Sequence, residues 1–267
     1  MLNDLDGNDL FNTLMLERGH STQACVVVEG ETDFNLLADF LRNESLDIVV
    51  GYGKQSLLDA SHSASVELPK IVFLVDADLD RLTGAIDGYS SNVVATDFYD
   101  LYMDAHAQDP EGLVRVARRF LEKATISTAD GIDRAFEAAA AVGAARHVSK
   151  AATYDLNLHD FPVHLVMSAS DGRTEISKVV DLALKRSKPV GTTAEALSAE
   201  ISERMSAPDC VFIVNSHDLL SALHFCCTRF GTGRVSQTMD QLFELAIDRS
   251  VFEAMPVIKR LEDRLAS

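Results

Sequence analysis

Short, nearly unbroken apolar runs alternate with stretches of helical period over the first hundred residues. The runs at 24–28, 46–50, 71–75 and 92–95 are rich in β-branched side chains. Runs of this kind read as strands buried on both faces, as in a parallel sheet. Between the first two, Phe34, Leu37, Phe40 and Leu41 fall on one helical face, and a short helix through Leu57 and Leu58 follows the second. Strand and helix alternating at this spacing predict βαβ units. Right-handed crossovers then bring successive strand ends to one edge of the sheet.

Beyond about residue 106 the helical period dominates. Helices are expected at 113–122, 129–148, 174–185, 194–205, 219–230, 236–248 and 251–265. Two short apolar runs, 163–167 and 210–214, read as further strands. The predicted organisation is an N-terminal arm or short helix at 1–21 (apolar at Leu10, Phe11, Leu14 and Leu16), an α/β domain at 22–105, and a mainly helical region at 106–267 packed on the sheet. A hinge is expected at Asp109-Pro110-Glu111-Gly112.

Polar residues collect where the strands end. Glu29 follows the first run, Lys54 the second, Asp76 the third and Asp97 the fourth. Ligands of open α/β sheets bind beyond the carboxyl ends of the strands. After the third run come Asp76, Asp78 and Asp80 at alternate positions. Carboxylates so close repel one another unless a positive charge lies among them, and a hard divalent cation such as Mg²⁺ is the simplest candidate. The alternative is a solvated polar loop. Gly30 permits a tight turn after Glu29. Gly51-Tyr52-Gly53-Lys54-Gln55-Ser56 is no Walker A loop, since Ile48 stands where the first glycine would be. It could still hold a phosphate at a helix start, with Lys54 as the point charge, or be an ordinary strand–helix turn. Farther on, His217 could shuttle a proton or position a phosphate; alternatively, Asp218 is a helix N-cap and His217 its neighbour.

Composition narrows the classes. The hydrophobic fraction of 47% supports a large core, yet no apolar run reaches membrane-spanning length. The acidic start lacks a signal-peptide pattern. Cys25, Cys210, Cys226 and Cys227 have no paired ligand spacing and read as buried thiols, which suits a reducing cytoplasm. A net charge of −17 argues against binding nucleic acid through a generally basic surface and leaves only a local basic groove. Arg115, Arg118, Arg119 and Lys123 are spaced to share a helix face, and Lys185, Arg186 and Lys188 cluster later. These are possible backbone contacts or solvated helix faces. With no Trp, stacking of single strands is weakly supported.

Glu29-Gly30-x-x-Asp33 after one strand and Asp76-x-Asp78-x-Asp80 after another resemble the two motifs of the TOPRIM domain. That catalytic fold is shared by topoisomerases, bacterial-type primases and the overcoming-lysogenization-defect nucleases. The resemblance covers roughly 22–105 and implies a TOPRIM-like parallel sheet flanked by helices, with a largely helical C-terminal half. It implies that Glu29 is the acid–base or metal-linked glutamate. Asp76 and Asp78 would hold Mg²⁺ (or Mn²⁺), Asp80 would be a further ligand or orienting acid, and Asp33 would support the glutamate loop. The chain is similar, within TOPRIM proteins, to a branch long treated as a domain of unknown function. Gly53-Lys54, Asp97-Phe-Tyr-Asp100 and Ser216-His217-Asp218 correspond to that branch's further motifs, which adds Lys54 and His217 as candidate catalytic residues. Tyr102 stands where an acid is expected, and Ser216 where a glycine is.

Members of this branch accompany ABC-type ATPases in phage defence, as PARIS-type effectors, and one cleaves tRNA. The resemblance therefore implies a Mg²⁺-dependent endonuclease acting on tRNA or DNA, partnered by an ABC-type ATPase and homodimeric when active. The family and the acidic charge together suggest a protein held inactive in a complex. A non-catalytic scaffold of an ABC-type ATPase complex is the alternative. Primer synthesis ranks below both, because the chain carries no zinc-binding or polymerase-associated segment.

Overall fold

The four apolar runs form one all-parallel sheet. In the computed structural model, which describes residues 6–18, 21, 23–41, 46–68, 70–188, 191–232, 235 and 237–266, the chain divides into two compact units. One comprises residues 1–108 and 248–267, the other 109–247.

In the first unit, α1 (Gly7–Arg18) leads into β1 (Ala24–Val28), followed by α2 (Glu31–Leu41), β2 (Leu46–Val50), α3 (Lys54–Glu67), β3 (Ile71–Val75), the single turn α4 (Asp80–Thr83), β4 (Val93–Ala95) and α5 (Leu101–Gln108). The strand order is β2-β1-β3-β4. Val28 lies beside Val50 on one side and Leu74 on the other, and Val75 lies beside Ala95. β1 and β3 are central, so their side chains are sealed on both faces: Val26, Val27 and Phe73 are fully buried. The uninterrupted apolar composition of these runs is the cause, since a polar residue on either face would lie in the core without water. The chain winds from β1 out to β2, then returns past β1 to β3. The reversal point therefore lies between the ends of β1 and β3, where doubly wound sheets bind their ligands.

The stretch anticipated as an arm or a short helix is a helix and part of this core, although residues 1–5, 19 and 20 lie outside those described. Leu10 and Leu14 pack with Leu57, Ala60 and Phe73. Arg18 closes the helix end by pairing with Asp47 at 2.5 Å and donating to the Gln23 carbonyl.

The second unit holds α6 (Pro110–Leu121), α7 (Thr128–Ala152), α8 (Ile176–Arg186), α9 (Ala194–Met205), α10 (Ser216–Phe230) and α11 (Met239–Glu244). α7 is its axis and packs on α6, α8, α9 and α10. Its alanine-rich middle permits this, because Ala138, Ala139, Ala141, Ala144 and Ala145 are fully buried and let neighbours approach closely. Ser127 and Asp130 form a capping box at its start.

Two expected strands are single 3₁₀ turns, Val163–Leu165 and Cys210–Ile213. Val163 and Val166 are buried while Leu165 between them is exposed, and Ile213 is buried while Val211 is exposed. Burial at a three-residue interval is the 3₁₀ period, and periodicity cannot separate such short runs from strands. Met167 forms only an isolated bridge with Thr174. The expected final helix is two, α12 (Arg249–Ala254) and α13 (Pro256–Ala266), because Met255 before Pro256 is extended. Both belong to the sheet unit, not to the helical half with which the sequence groups them. α13 lies on β3 and β4, and Phe252 of α12 stacks on Phe40 at 4.6 Å.

All four cysteines are free, and Cys25, Cys226 and Cys227 are buried. Among the described residues no helix is long and apolar enough to cross a membrane.

A Cβ on Gly143 of α7 would lie 1.9 Å from the Ile213 carbonyl oxygen, a backbone atom that cannot swing aside. Gly143→Ala is therefore expected to destabilise the protein by ~2 kcal/mol or more. Thermal melts of variant and wild type check this, and equal melting temperatures would refute it.

Candidate active site

The pairing of β1 with β3 sets Glu29 beside Asp76. The Asp76 N–H donates to Glu29 Oε1 at 2.8 Å, so the two acids that end these strands are joined directly. The glutamate loop is itself fixed: Gly51 N–H donates to the Val28 carbonyl, Gly53 N–H to that of Glu29 and Phe34 N–H to that of Gly30. Gly53 has φ +110, a conformation that favours glycine. Asp33 enters from the first turn of α2.

These acids are crowded and poorly hydrated. Burial, then the nearby Asp78 charge, pushes the Glu29 carboxyl up to about 8. Burial and Asp100 push Asp33 up to about 6. Burial raises Asp76 well above the usual carboxylate range, and Asp33, Glu29, Asp100 and Asp78 add to the rise. In the cation-free site Glu29 therefore retains at neutral pH a proton that a carboxyl in water would have lost.

Asp78 and Asp80 do not continue the strand's alternation. The chain turns at Asp78, whose φ of 48 is left-handed, a region that Asp tolerates better than most residues. Asp78 N–H donates to the Tyr99 carbonyl, and Ala77 N–H to Thr96 Oγ1 at 2.7 Å, so the β4 loop sets the turn. Asp80 already begins α4. Both side chains meet Lys54 Nζ, at 3.0 Å for Asp78 and 2.7 Å for Asp80. The Tyr89 hydroxyl donates to the same Asp80 oxygen at 2.7 Å. Burial alone would lower the Lys54 pKa, but the two aspartates outweigh it and hold the ammonium protonated. Lys54 is thus the counter-charge of the aspartate ladder.

Asp104 is a buried acid that sequence reasoning missed. It lies one helical turn beyond Asp100 on α5, and it accepts the backbone N–H groups of Asp97 and Phe98. Burial pushes it up to about 7, although those two N–H groups pull the other way. The i, i+4 spacing of Asp100 and Asp104 was its signal. Tyr102, where an acid was expected, is buried.

His217 belongs to the second unit and is exposed there. The N-cap of α10 is Asn215, not Asp218: its side chain accepts the Asp218 N–H. Asp218 is fully buried and paired with Arg146. Of the basic clusters, Arg115 is bound to Asp109 at 2.7 Å, and Arg118, Arg119 and Lys123 are exposed. Arg186 clamps a loop through the His159 and Asp160 carbonyls.

Glu29, Asp76, Asp33, Asp78 and Asp80 are all hard oxygen donors, the class that Mg²⁺ and Mn²⁺ prefer. Among the described residues Glu29, Asp33 and Asp76 make no ion pair with a basic side chain. The donor set fits a divalent cation chemically, and burial first, then the neighbouring acids, makes their carboxylate forms costly without one. With Asp78 and Asp80 turned to Lys54, no three acidic, histidine or cysteine side chains among the described residues converge on one cation position.

Comparison with protein-family models and with curated proteins finds no match for this chain.

The raised acids give stability a definite pH dependence. Glu29 binds its proton up to about pH 8 when folded, against an ordinary value of 4.5. Between those values the folded state holds more protons than the unfolded state, so stability falls as pH rises. Asp33 and Asp76 act in the same direction. Without divalent cations the melting temperature should be higher at pH 6 than at pH 8.5, and Glu29→Gln should flatten the slope. Each unit of pKa separation is worth about 1.4 kcal/mol, or roughly 3–5 °C for a unit of this size. Parallel slopes in wild type and variant would contradict the assignment.

Proposed function

We propose that the protein is a divalent-metal-dependent nuclease that cleaves phosphodiester bonds in tRNA or DNA. The observation that carries this reading is the junction of Glu29 with Asp76 at the reversal point of a parallel sheet, with Asp33, Asp78 and Asp80 around it. The TOPRIM resemblance of the same residues supports it. On the resemblance, Glu29, Asp76 and Asp78 would hold Mg²⁺ or Mn²⁺, with Asp80 and Asp33 beside them, and Asp78 would leave Lys54 to do so. When bound, such a cation supplies charge neutralisation at the phosphoryl oxygens.

The chain's own groups supply the rest. As a cation ligand Glu29 would be ionised, giving up the proton that it keeps near neutral pH in the cation-free site. Asp76 N–H holds the Glu29 carboxyl in place. Lys54 keeps Asp78 and Asp80 from repelling each other and brings a positive charge to the edge that a phosphate would approach. On the resemblance, the protein is the toxic effector of a cytoplasmic phage-defence system, partnered by an ABC-type ATPase and active as a homodimer.

A second reading has its own observation. Lys54 already neutralises Asp78 and Asp80, as it would in a non-catalytic scaffold of an ATPase complex. Calorimetric titration with MgCl₂ separates the two, since a scaffold would take up no cation.

Purified protein with Mg²⁺ or Mn²⁺ is expected to cut tRNA or nick plasmid DNA, and chelation should stop it. Glu29→Gln and Asp76→Asn should each lower the rate by ~10²–10⁴-fold while the fold persists. Full activity in both variants would exclude the proposed site.

A further inference from the structure

The acids at the reversal point repel the polyanion they are proposed to cut, so the substrate needs a seat elsewhere on the sheet unit. We propose that the groove between β4 and α13 is that seat. It would take the phosphodiester backbone of a polynucleotide, with Arg81, Arg260 and Arg264 as phosphate contacts and Lys70 at its far end. This inference rests on the nuclease reading.

Two adjoining hollows make the track. One, of about 500 Å³, has Arg81, Arg260 and Arg264 in its walls. The other, of about 330 Å³, is lined by Lys70, Arg264, Ser65, Ser91 and Asn92 among others. Arg264 borders both. Among the described residues the charged groups lining the two hollows are four cations, each also engaged within the protein, and two acids, Asp97 and Asp263, on a chain whose net charge is −17. The second hollow has no acid in its wall among the described residues. Such a local reversal of sign is what the overall composition would require of a nucleic-acid protein.

The arginines are placed for the task. Arg260 and Arg264 are exposed one turn apart on α13. Asp97 holds Arg260 at 3.0 Å and Arg81 at 3.8 Å, which sets the spacing of the two guanidiniums. Arg81 also donates to the Thr96 carbonyl, and Thr96 Oγ1 accepts the N–H of Ala77, next to Asp76. The arginine end of the track and the turn that carries the acids are thus joined through Thr96. Guanidinium forks match the geometry of phosphate oxygens. The hollows run from Lys70 and Ile71 at the start of β3 to Ala95 and Asp97 at the end of β4. A lone phosphate would need no more than one end of the track.

The test is fluorescence anisotropy on the full chain in EDTA, so that binding is read without cleavage. The probes are a labelled tRNA transcript and a labelled DNA duplex, titrated between about 50 and 200 mM salt. Arg264→Glu is expected to weaken binding ~10-fold or more and to lower the salt slope by about one to two. Arg264→Gln should do the same to a smaller degree, and melts of both variants report folding. Arg118→Glu, on the exposed face of α6, should bind within about two-fold of wild type. The tighter probe identifies the kind of polynucleotide, and either one supports the seat. Wild-type binding to neither probe overturns it, as does a folded Arg264→Glu that binds like wild type. If binding depends on Arg264 but Mg²⁺ and Mn²⁺ give no cleavage, the seat stands and the nuclease reading fails. If Glu29→Gln abolishes cleavage while Arg264→Glu binds normally, the reverse holds.

Discussion

The parallel pairing of β1 with β3 is the constraint on which the site depends. It places two strand-end acids side by side and leaves one N–H, that of Asp76, to hold the Glu29 carboxylate at 2.8 Å. Everything around them manages the charge this concentrates. Lys54 takes the outer aspartates, Thr96 and Tyr99 hold the turn that carries them, and burial keeps protons on the inner acids. The apolar runs matter here because they allow no other register: a slip of one residue would bury an acid in the sheet.

Much of this was legible in the sequence. The strand-end positions of Glu29 and Asp76 followed from continuous apolar runs, a signal that neither a surface strand nor an amphipathic helix produces. Their adjacency needed only the right-handed crossover rule and a strand order that places β3 beside β1. The ladder was legible only in part. Asp76, Asp78 and Asp80 alternate in sequence, but the left-handed turn at Asp78 ends the strand geometry after the first of them. Backbone dihedrals of single loop residues leave no periodic trace.

The helical half was less legible because its short apolar runs, 163–167 and 210–214, carry no length or pattern that separates a strand from a turn. The partner decides, and there α7 offers an alanine face, not a strand edge. Asp104 went unread because a buried acid that serves backbone N–H groups looks, in sequence, like any solvated helix residue. The return of α12 and α13 to the sheet was hidden for another reason: amphipathic spacing shows that a helix has a buried face, not which core receives it.

That return makes residues 109–247 an insertion within the sheet unit. Arg115 joins the two ends of the insertion, donating to the Asp109 side chain at 2.7 Å and to the Ala246 carbonyl at 3.3 Å. The ribosome thus releases the helical unit whole before α13 exists to cover β3 and β4. During synthesis the strands and their acids are made early, but the sheet's outer layer and Arg260, which pairs with Asp97, arrive only after the insertion is complete. Completion of the sheet unit is therefore timed by the translation of the segment it encloses.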